Sequence, residues 1–428
     1  MFLAVQKDVF SPGKELDGLL CDLARLANNL YNQAVYESRQ YFFASDRKPW
    51  KVLSYPKLYA ALKERENSKL LHSQAAQQVM KSAYEAFKSF KALHKLFRLG
   101  ELEHEPKLPR YRTKGGLYQV VFTGQSLSVK DGLIRVPLGR GGAEAFDRDC
   151  FHIPLPERLK EVEIRELRFI PTNGHWVVEF VHESLETPAL SCKLHSESVL
   201  ALDPGLDNLL AGVTNTGQAF LIDGLPLKAK NQWYNKQVAR LKSILTCGLE
   251  STRGVTSKQI QRVTHKRNCF VRDYINKAAR WVIDFCLDNG IDTIVYGRNK
   301  GQKNGVNLGH KTNQEFVQIP HAKLFARIRQ LCLIHGLRLV ATEESYTSQA
   351  SFFDNDPLPV FGEKPEGWRA SGKRIVRGLY RTARGWLLNA DNHGSCNIMR
   401  KVATMLGIDL SGVSSGAVAA PFRVRLNG

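Results

Sequence analysis

The chain has 428 residues, 43% of them hydrophobic, and its 61 Lys and Arg outnumber 41 Asp and Glu, for a net charge of +20 and a pI near 9.6. That length allows two or three domains with real cores, and without an apolar run of about 18 residues an ordinary membrane-spanning helix is excluded. MFLAVQKDVF is too short and too charged for a signal peptide, and none of the eight cysteines stand in a C-x-x-C spacing, which leaves scattered buried thiols in a cytoplasmic protein with no membrane partner.

The positive charge is spread through folded-looking segments with aromatics among them, unlike a basic tail. Basic chains bind polyanions by releasing counterions, so nucleic acid is the first partner to consider.

Residues 1–13 read as the first strand of a β-barrel, and 14–105 as a helical region, with Val79, Tyr84, Phe87 and Phe90 at helical spacing. EPKLPRYRTKGG then breaks the pattern. Its Arg110, Tyr111 and Arg112 suit a nucleic-acid backbone, Arg on phosphate and Tyr on a base; the stretch serves equally as a plain linker. Residues 106–195 change to short alternating runs with hairpin signals at KDG and TNG. They read as a barrel or twisted sheet interrupted by the helices.

From 196 to 407 strands and helices mix. SVLALDPGLDNLLAGVTNTGQAFLIDG reads as three strands, followed by a basic helical pair over 226–289. Next come the strand IDTIVYG, the helix PHAKLFARIRQLCLIHG, the strand LRLVATEE, a loop-rich insert over 346–388 and the helix NADNHGSCNIMRKVATML. Three strands followed by strand–helix–strand–helix is the order of the RNase H-like fold. The expected class is therefore α/β plus all-β, and residues 408–428 read as a frayed tail.

Two carboxylates stand out. Asp203 ends the apolar run VLALD, where a charge is costly unless solvated, paired or bound to metal; an Asp before Pro-Gly also simply starts turns. Asp391 opens a helix, as an N-cap or as a ligand held at a helix start. Its neighbour His393 reads as structural rather than as a ligand. In the helical pair Lys266, Arg267, Arg272 and Lys277 lie on basic stripes that suit the shape and backbone of a nucleic-acid duplex, or a solvated face. GRNKGQKNGVNLGHKTNQ reads as a mobile basic loop.

ALDPGLDNLLAGVTNTG and NADNHGSCNIMRK, in that order, resemble the first and last RuvC motifs of TnpB-type (OrfB) proteins, the RNA-guided DNA endonucleases encoded by insertion sequences and related to type V CRISPR effectors. NNLYNQAV, LPRYR and SYTSQAS extend the resemblance along most of the chain. It implies a RuvC nuclease domain behind a wedge-type β-barrel with a helical insertion. It also implies Mg²⁺, with Mn²⁺ as a substitute, held by carboxylates that include Asp203 and Asp391. The implied partners are a guide RNA from the transposon end and target double-stranded DNA beside a short adjacent motif. Members of the family are commonly called transposases, but no separate machinery for strand joining is visible here.

Two departures matter. The family's paired cysteines are missing from the insert, so no structural zinc is expected. Where relatives place a catalytic Glu this chain has Gly297, which leaves two readings: a nuclease with a rearranged site, or an RNA-guided binder that has lost cleavage. In the expected sheet the strand ending in Glu343 and Glu344 lies beside Gly297, and a missing side chain there opens space for a neighbour. Glu344, at a position where relatives often have Pro, is the expected replacement, with Glu343 in reserve. Strand alternation puts the two on opposite faces, without saying which face meets the metal.

Overall fold

The computed structural model describes residues 3–45, 48, 51–183, 198–248, 254–298 and 318–426. The chain divides into two units, Met1–Leu185 and Glu186–Gly428. The boundary expected at 195/196 lies outside the described residues, as does nearly all of the basic loop after Gly297.

In the first unit, strand β1 (Leu3–Phe10) is followed by helices α1 (Lys14–Ala44), α2 (Tyr55–Leu62), α3 (Glu66–Lys69) and α4 (Ser73–Arg98). Then come β2 (Val120–Thr123), β3 (Ser128–Lys130), β4 (Leu133–Pro137), α5 (Arg140–Phe146), β5 (Cys150–Pro154), β6 (Ile164–Thr172) and β7 (His175–Glu183). The helices α1–α4 separate β1 from β2 in sequence, and these two strands are the opposite edges of one sheet, in the order β1-β7-β6-β2. The remaining strands make a second sheet, β3-β4-β5. The single barrel expected from the sequence is therefore two hydrogen-bonded sheets. The chain leaves the first at a tight turn, Gly124–Ser126, and enters the second two residues later. Phe122 and Phe169 of one sheet meet Phe151 of the other at ring separations of 5.5–6.4 Å, so both sheets share a core with the helices. The two hairpin turns hold Asp131-Gly132 and Asn173-Gly174 with positive φ throughout, the pair of angles that a right-twisted two-residue hairpin requires.

The second unit holds β8 (Val199–Pro204), β9 (Asn208–Thr214), β10 (Ala219–Asp223), α6 (Leu225–Leu245), α7 (Lys258–Asp288), β11 (Thr293–Gly297), α8 (His321–His335) and β12 (Arg338–Thr342). It ends with β13 (Lys373–Val376), β14 (Leu379–Arg381), β15 (Leu387–Asn389), α9 (Ala390–Leu406), α10 (Ser415–Ala419) and β16 (Phe422–Val424). The main sheet runs β12-β11-β8-β9-β10-β16. β8, β9 and β10 are antiparallel, while β11 and β12 join β8 in parallel. Both faces are covered. Leu200, Leu202, Ile294 and Tyr296 pack with α7 and α8, and Val199, Ala201 and Val295 pack with α9 on the other side. The tail expected to fray is instead ordered in part: Phe422, Arg423 and Val424 pair in parallel with Phe220, Leu221 and Ile222, and Phe422 stacks among Phe220, Trp281 and Phe285.

The insert over 346–388 is built around carboxylates. Asp354 Oδ2 accepts from Ser351 Oγ at 2.6 Å and from the Ala383 amide at 2.7 Å. Asp356 Oδ2 accepts from the amides of Ser351 at 2.7 Å and Ser371 at 3.0 Å. These bonds tie both ends of the insert together, beside the sheet β13-β14-β15. Despite the cost of desolvation, the hydrogen bonds from Ser351 and Ala383 and the nearby Arg384 hold the Asp354 carboxyl below its usual range. Asp354→Ala leaves those donors unmatched, and the expected loss is about 2–4 kcal/mol, read as a lower denaturation midpoint and faster proteolysis within the insert.

Candidate active site

Asp203 is the last but one residue of β8, on the face that carries Val199 and Ala201 and packs on α9. Gly297 ends β11 on the same face, two residues beyond Val295. In the register of β11 with β12, Gly297 lies opposite Thr342, and Glu344 follows two residues on. β12 ends at Thr342, so both glutamates lie past the strand, and their contacts rather than strand alternation tell them apart. A Cβ placed on Gly297 would lie 2.8 Å from Glu344 Oε1, 2.9 Å from Glu344 Cγ and 2.6 Å from Ile398 Cδ1. Real Cβ atoms do not come so close, so the Glu344 side chain fills the space that a residue other than glycine would need. Glu343 is ion-paired to Lys401 and accepts from the Ser345 amide at 2.8 Å.

Asp391 reaches the site from the first turn of α9, and the sequence NADNHGSCN is a set of placements for that helix. Asn389 caps it, its Oδ1 accepting from the amides of Asp391 and Asn392 at 3.1 Å. Asn392 Nδ2 donates to the carbonyls of Gly212 at 2.9 Å and Phe220 at 3.0 Å, and Ser395 Oγ to that of Ala211 at 3.0 Å, which fixes the helix over β9 and β10. Gly394 brings it close: a Cβ there would stand 2.6 Å from Asp203 Oδ2. Asn397 Nδ2 donates to the carbonyls of Thr347 and Ala350 at 2.9 and 2.7 Å, holding the turn that follows Glu344. His393 faces the insert. Its Nε2 accepts from the Phe352 amide at 2.9 Å and its ring stacks on Tyr380. Burial, helped by Arg400, pulls the imidazole down to about 4, so it stays neutral and acts as an acceptor.

The carboxylates strain against one another electrically. Crowding by protein, together with the carboxylates of Glu344 and Asp391, pushes Asp203 well above the usual range, against a smaller downward pull from Arg374. Burial, then Glu343, raises Glu344 to about 7. Asp391 is engaged from two sides, by Arg374 Nη2 at 2.9 Å and by Asn208 Nδ2 at 2.7 Å. Arg377 likewise pairs with Asp207 at 2.8 Å.

Chemically this is an all-oxygen donor set with excess negative charge, which suits a hard divalent cation, and a cation would relieve the pressure on Asp203. Among the described residues no three acidic, His or Cys side chains converge on one point ready to hold an ion. Asp391 would first have to leave Arg374. The sign of the pH effect follows. A native Glu344 that keeps its proton up to about 7, while the unfolded chain releases it near 4.5, costs stability as pH rises across that window. The metal-free chain is expected to melt at falling temperature between those pH values, with a shallower slope in Glu344→Gln.

The residues expected to touch nucleic acid divide. Arg110 and Lys266 are exposed, as are Arg272 and Tyr111. Lys277 is paired with Asp273 at 2.9 Å. Arg112, also exposed, is engaged by the fold, donating to Asn28 Oδ1 at 3.0 Å and to the Leu117 carbonyl at 3.2 Å and lying over Tyr118, so it pins its loop to α1. Arg267 is half-buried and donates to Asn231 Oδ1 at 2.7 Å and the Gln318 carbonyl at 3.1 Å, joining α7 to α6. Sequence reading passed over Asn208, Gly394 and Arg374. The first two stand within the motifs already quoted, and Arg374 carries no local signal at all.

Residues 179–303 match the OrfB_IS605 family model, described as a probable transposase. The chain is 23% identical over 423 residues to the TnpB-like protein ORF457 of Acidianus two-tailed virus, covering 89% of this chain and 82% of that one. Among solved structures it is similar to Cas12f1, seen by cryo-EM with sgRNA and target DNA, with a TM-score of 0.56 and 14% identity over 90% of this chain and 83% of that one. At that identity the likeness is one of fold: a mixed α/β architecture shared with Cas12f1.

Proposed function

We propose that this chain is a TnpB-type, RNA-guided, metal-dependent DNA endonuclease whose RuvC-like site has moved one carboxylate from β11 to Glu344, the second residue after β12. The observation that carries this reading is Glu344 Oε1 standing 2.8 Å from where a Gly297 Cβ would be. Asp203, Glu344 and Asp391 are the residues that would hold Mg²⁺, or Mn²⁺ in its place. When bound, such ions supply an activated water and neutralise charge at the phosphate. The chain's own residues do the rest. Gly394 and Gly297 keep the carboxylates crowded, Asn208 orients Asp391, and Arg374 balances its charge until a cation takes over. Exposed Lys266 and Arg272 on α7 meet phosphates of the guide or target. Supporting the assignment are the match over 179–303, the viral TnpB-like relative, and a Cas12f1-like fold.

A second reading is an RNA-guided DNA binder without cleavage. It is favoured by the ion pair of Arg374 with Asp391 and by the lack, among the described residues, of three acidic, His or Cys side chains placed to hold an ion. One experiment separates the two. The protein is co-expressed with its flanking DNA, purified with any RNA it retains, and given target plasmid with Mg²⁺. Cleavage supports the nuclease; target binding without cleavage supports the binder.

A further inference from the structure

In the first unit a cleft of about 470 Å³ opens between α1 and the segment carrying α2 and α3. Four side-chain amides line it, those of Asn29, Asn32, Gln33 and Asn67, over a floor that includes Leu62. Gln33 Oε1 is buried and, among the described residues, meets no donor. A buried acceptor left unmatched is costly, and a ligand's N–H would satisfy it. Amides present a donor and an acceptor side by side, the pattern that reads the edge of a nucleobase. They do not suit a bare anion, and Glu37 in the same wall repels one. Tyr36, half-exposed, offers a flat ring to the cleft.

The rim is basic. Arg65 lines the cleft with 60% of its side chain exposed and makes a long contact, 3.9 Å, to Glu37. On the opposite side Asn32 grips the loop of Arg110–Arg112 through both backbone groups of Arg112, at 2.8 and 3.1 Å. That loop presents exposed Arg110, and its Tyr111 lies under Arg39 of α1. An amide-lined cleft with an aromatic wall and arginines on both shoulders matches a base flanked by its phosphates.

We propose that this cleft seats one unpaired nucleobase of a single-stranded nucleic acid, stacked on Tyr36 and read by Gln33 and Asn29, with Arg65 and Arg110 on the neighbouring phosphates. The inference rests on the nucleic-acid-binding reading above.

The test uses the full chain, freed of nucleic acid, and fluorescent RNA and DNA homopolymers of about 12 nucleotides, with an abasic oligomer of the same length. Tyr36→Ala is expected to weaken binding to the preferred base about five- to hundredfold, leave abasic binding unchanged, and be rescued by Tyr36→Phe. Gln33→Ala and Asn29→Ala are expected to flatten the preference among bases. Comparing the RNA and DNA series tells which strand supplies the base. Wild-type affinity of Tyr36→Ala for every homopolymer, or an equal loss on the abasic oligomer, overturns the cleft assignment alone. A wild type that binds no oligomer overturns the nucleic-acid-binding reading and the cleft together.

Discussion

Glu344→Ala is expected to abolish plasmid cleavage while leaving the melting temperature near that of wild type. A divalent ion and its ligands contribute several kcal/mol to phosphodiester hydrolysis. At tenfold per 1.36 kcal/mol, losing one ligand carboxylate slows cleavage about a thousandfold or more. Stability should change little, because Glu344 is half-buried beside Asp203 and its carboxyl already resists ionisation. Glu343→Ala should show the reverse pattern. It strands Lys401, whose side chain is 8% exposed, against a Glu343 that is 35% exposed, and such a part-buried pair costs about 2 kcal/mol to break. Cleavage per folded molecule should persist. Single-turnover cleavage rates read beside thermal melts separate the two. A dead but stable Glu343→Ala with an active Glu344→Ala would reverse the assignment, and two active variants would remove both glutamates from the site.

The second expectation concerns the glycine. Gly297→Ala places a methyl group against Glu344 and Ile398. Both contacts are side-chain ends that can shift, so the fold should absorb the change for about 1–3 kcal/mol. Activity should suffer more, since moving a reactive group by about 1 Å costs on the order of a hundredfold. Gly297→Glu alone sets two carboxyl groups in one space and should be inactive. Gly297→Glu with Glu344→Ala returns the carboxylate to β11, where the resemblance places it in relatives, and should cleave faster than either single variant. That coupling, measured as a double-mutant cycle, is absent if Glu344 and a β11 glutamate do not share a role. A double variant as inactive as Glu344→Ala sinks the relocated-carboxylate reading.

Much of the second unit was legible because its strands and helices alternate in length and period. β8, β9 and β10 are marked by tight turns at Gly205 and Gly217, and α8 by its glycine stop at Gly336. The choice between Glu343 and Glu344 was not legible from alternation, and the reason is burial. β8 and β11 are covered on both faces, so the runs Val199–Leu202 and Ile294–Tyr296 are apolar throughout and the pattern carries no sign of which face is which. The packing of Val199, Ala201 and Val295 on α9 shows which face of the sheet Asp203 and Gly297 share. The C-terminal strand was missed because three residues, Phe422 to Val424, hold too little periodicity to register. The two-sheet arrangement of the first unit was hidden because β2 and β3 are short and separated only by Gly124–Ser126 and Leu127. Arg112 and Arg267 look like surface cations in sequence, and only the positions of Asn28, Asn231 and Gln318 show them spent on the fold.

The aspartate knot of the insert also has a consequence for the conditions that open this segment. Relatives with paired cysteines in this segment tie its folding to the supply of a transition metal and to a reducing environment. Asp354 and Asp356 recruit hydroxyls and amides that the chain itself provides, and the segment holds no cysteine for a thiol oxidant to reach. What replaces that dependence is acidity, because protonating Asp354 weakens the bonds that close the segment. An acidic medium is therefore expected to loosen this insert at pH values where Asp354 takes up its proton.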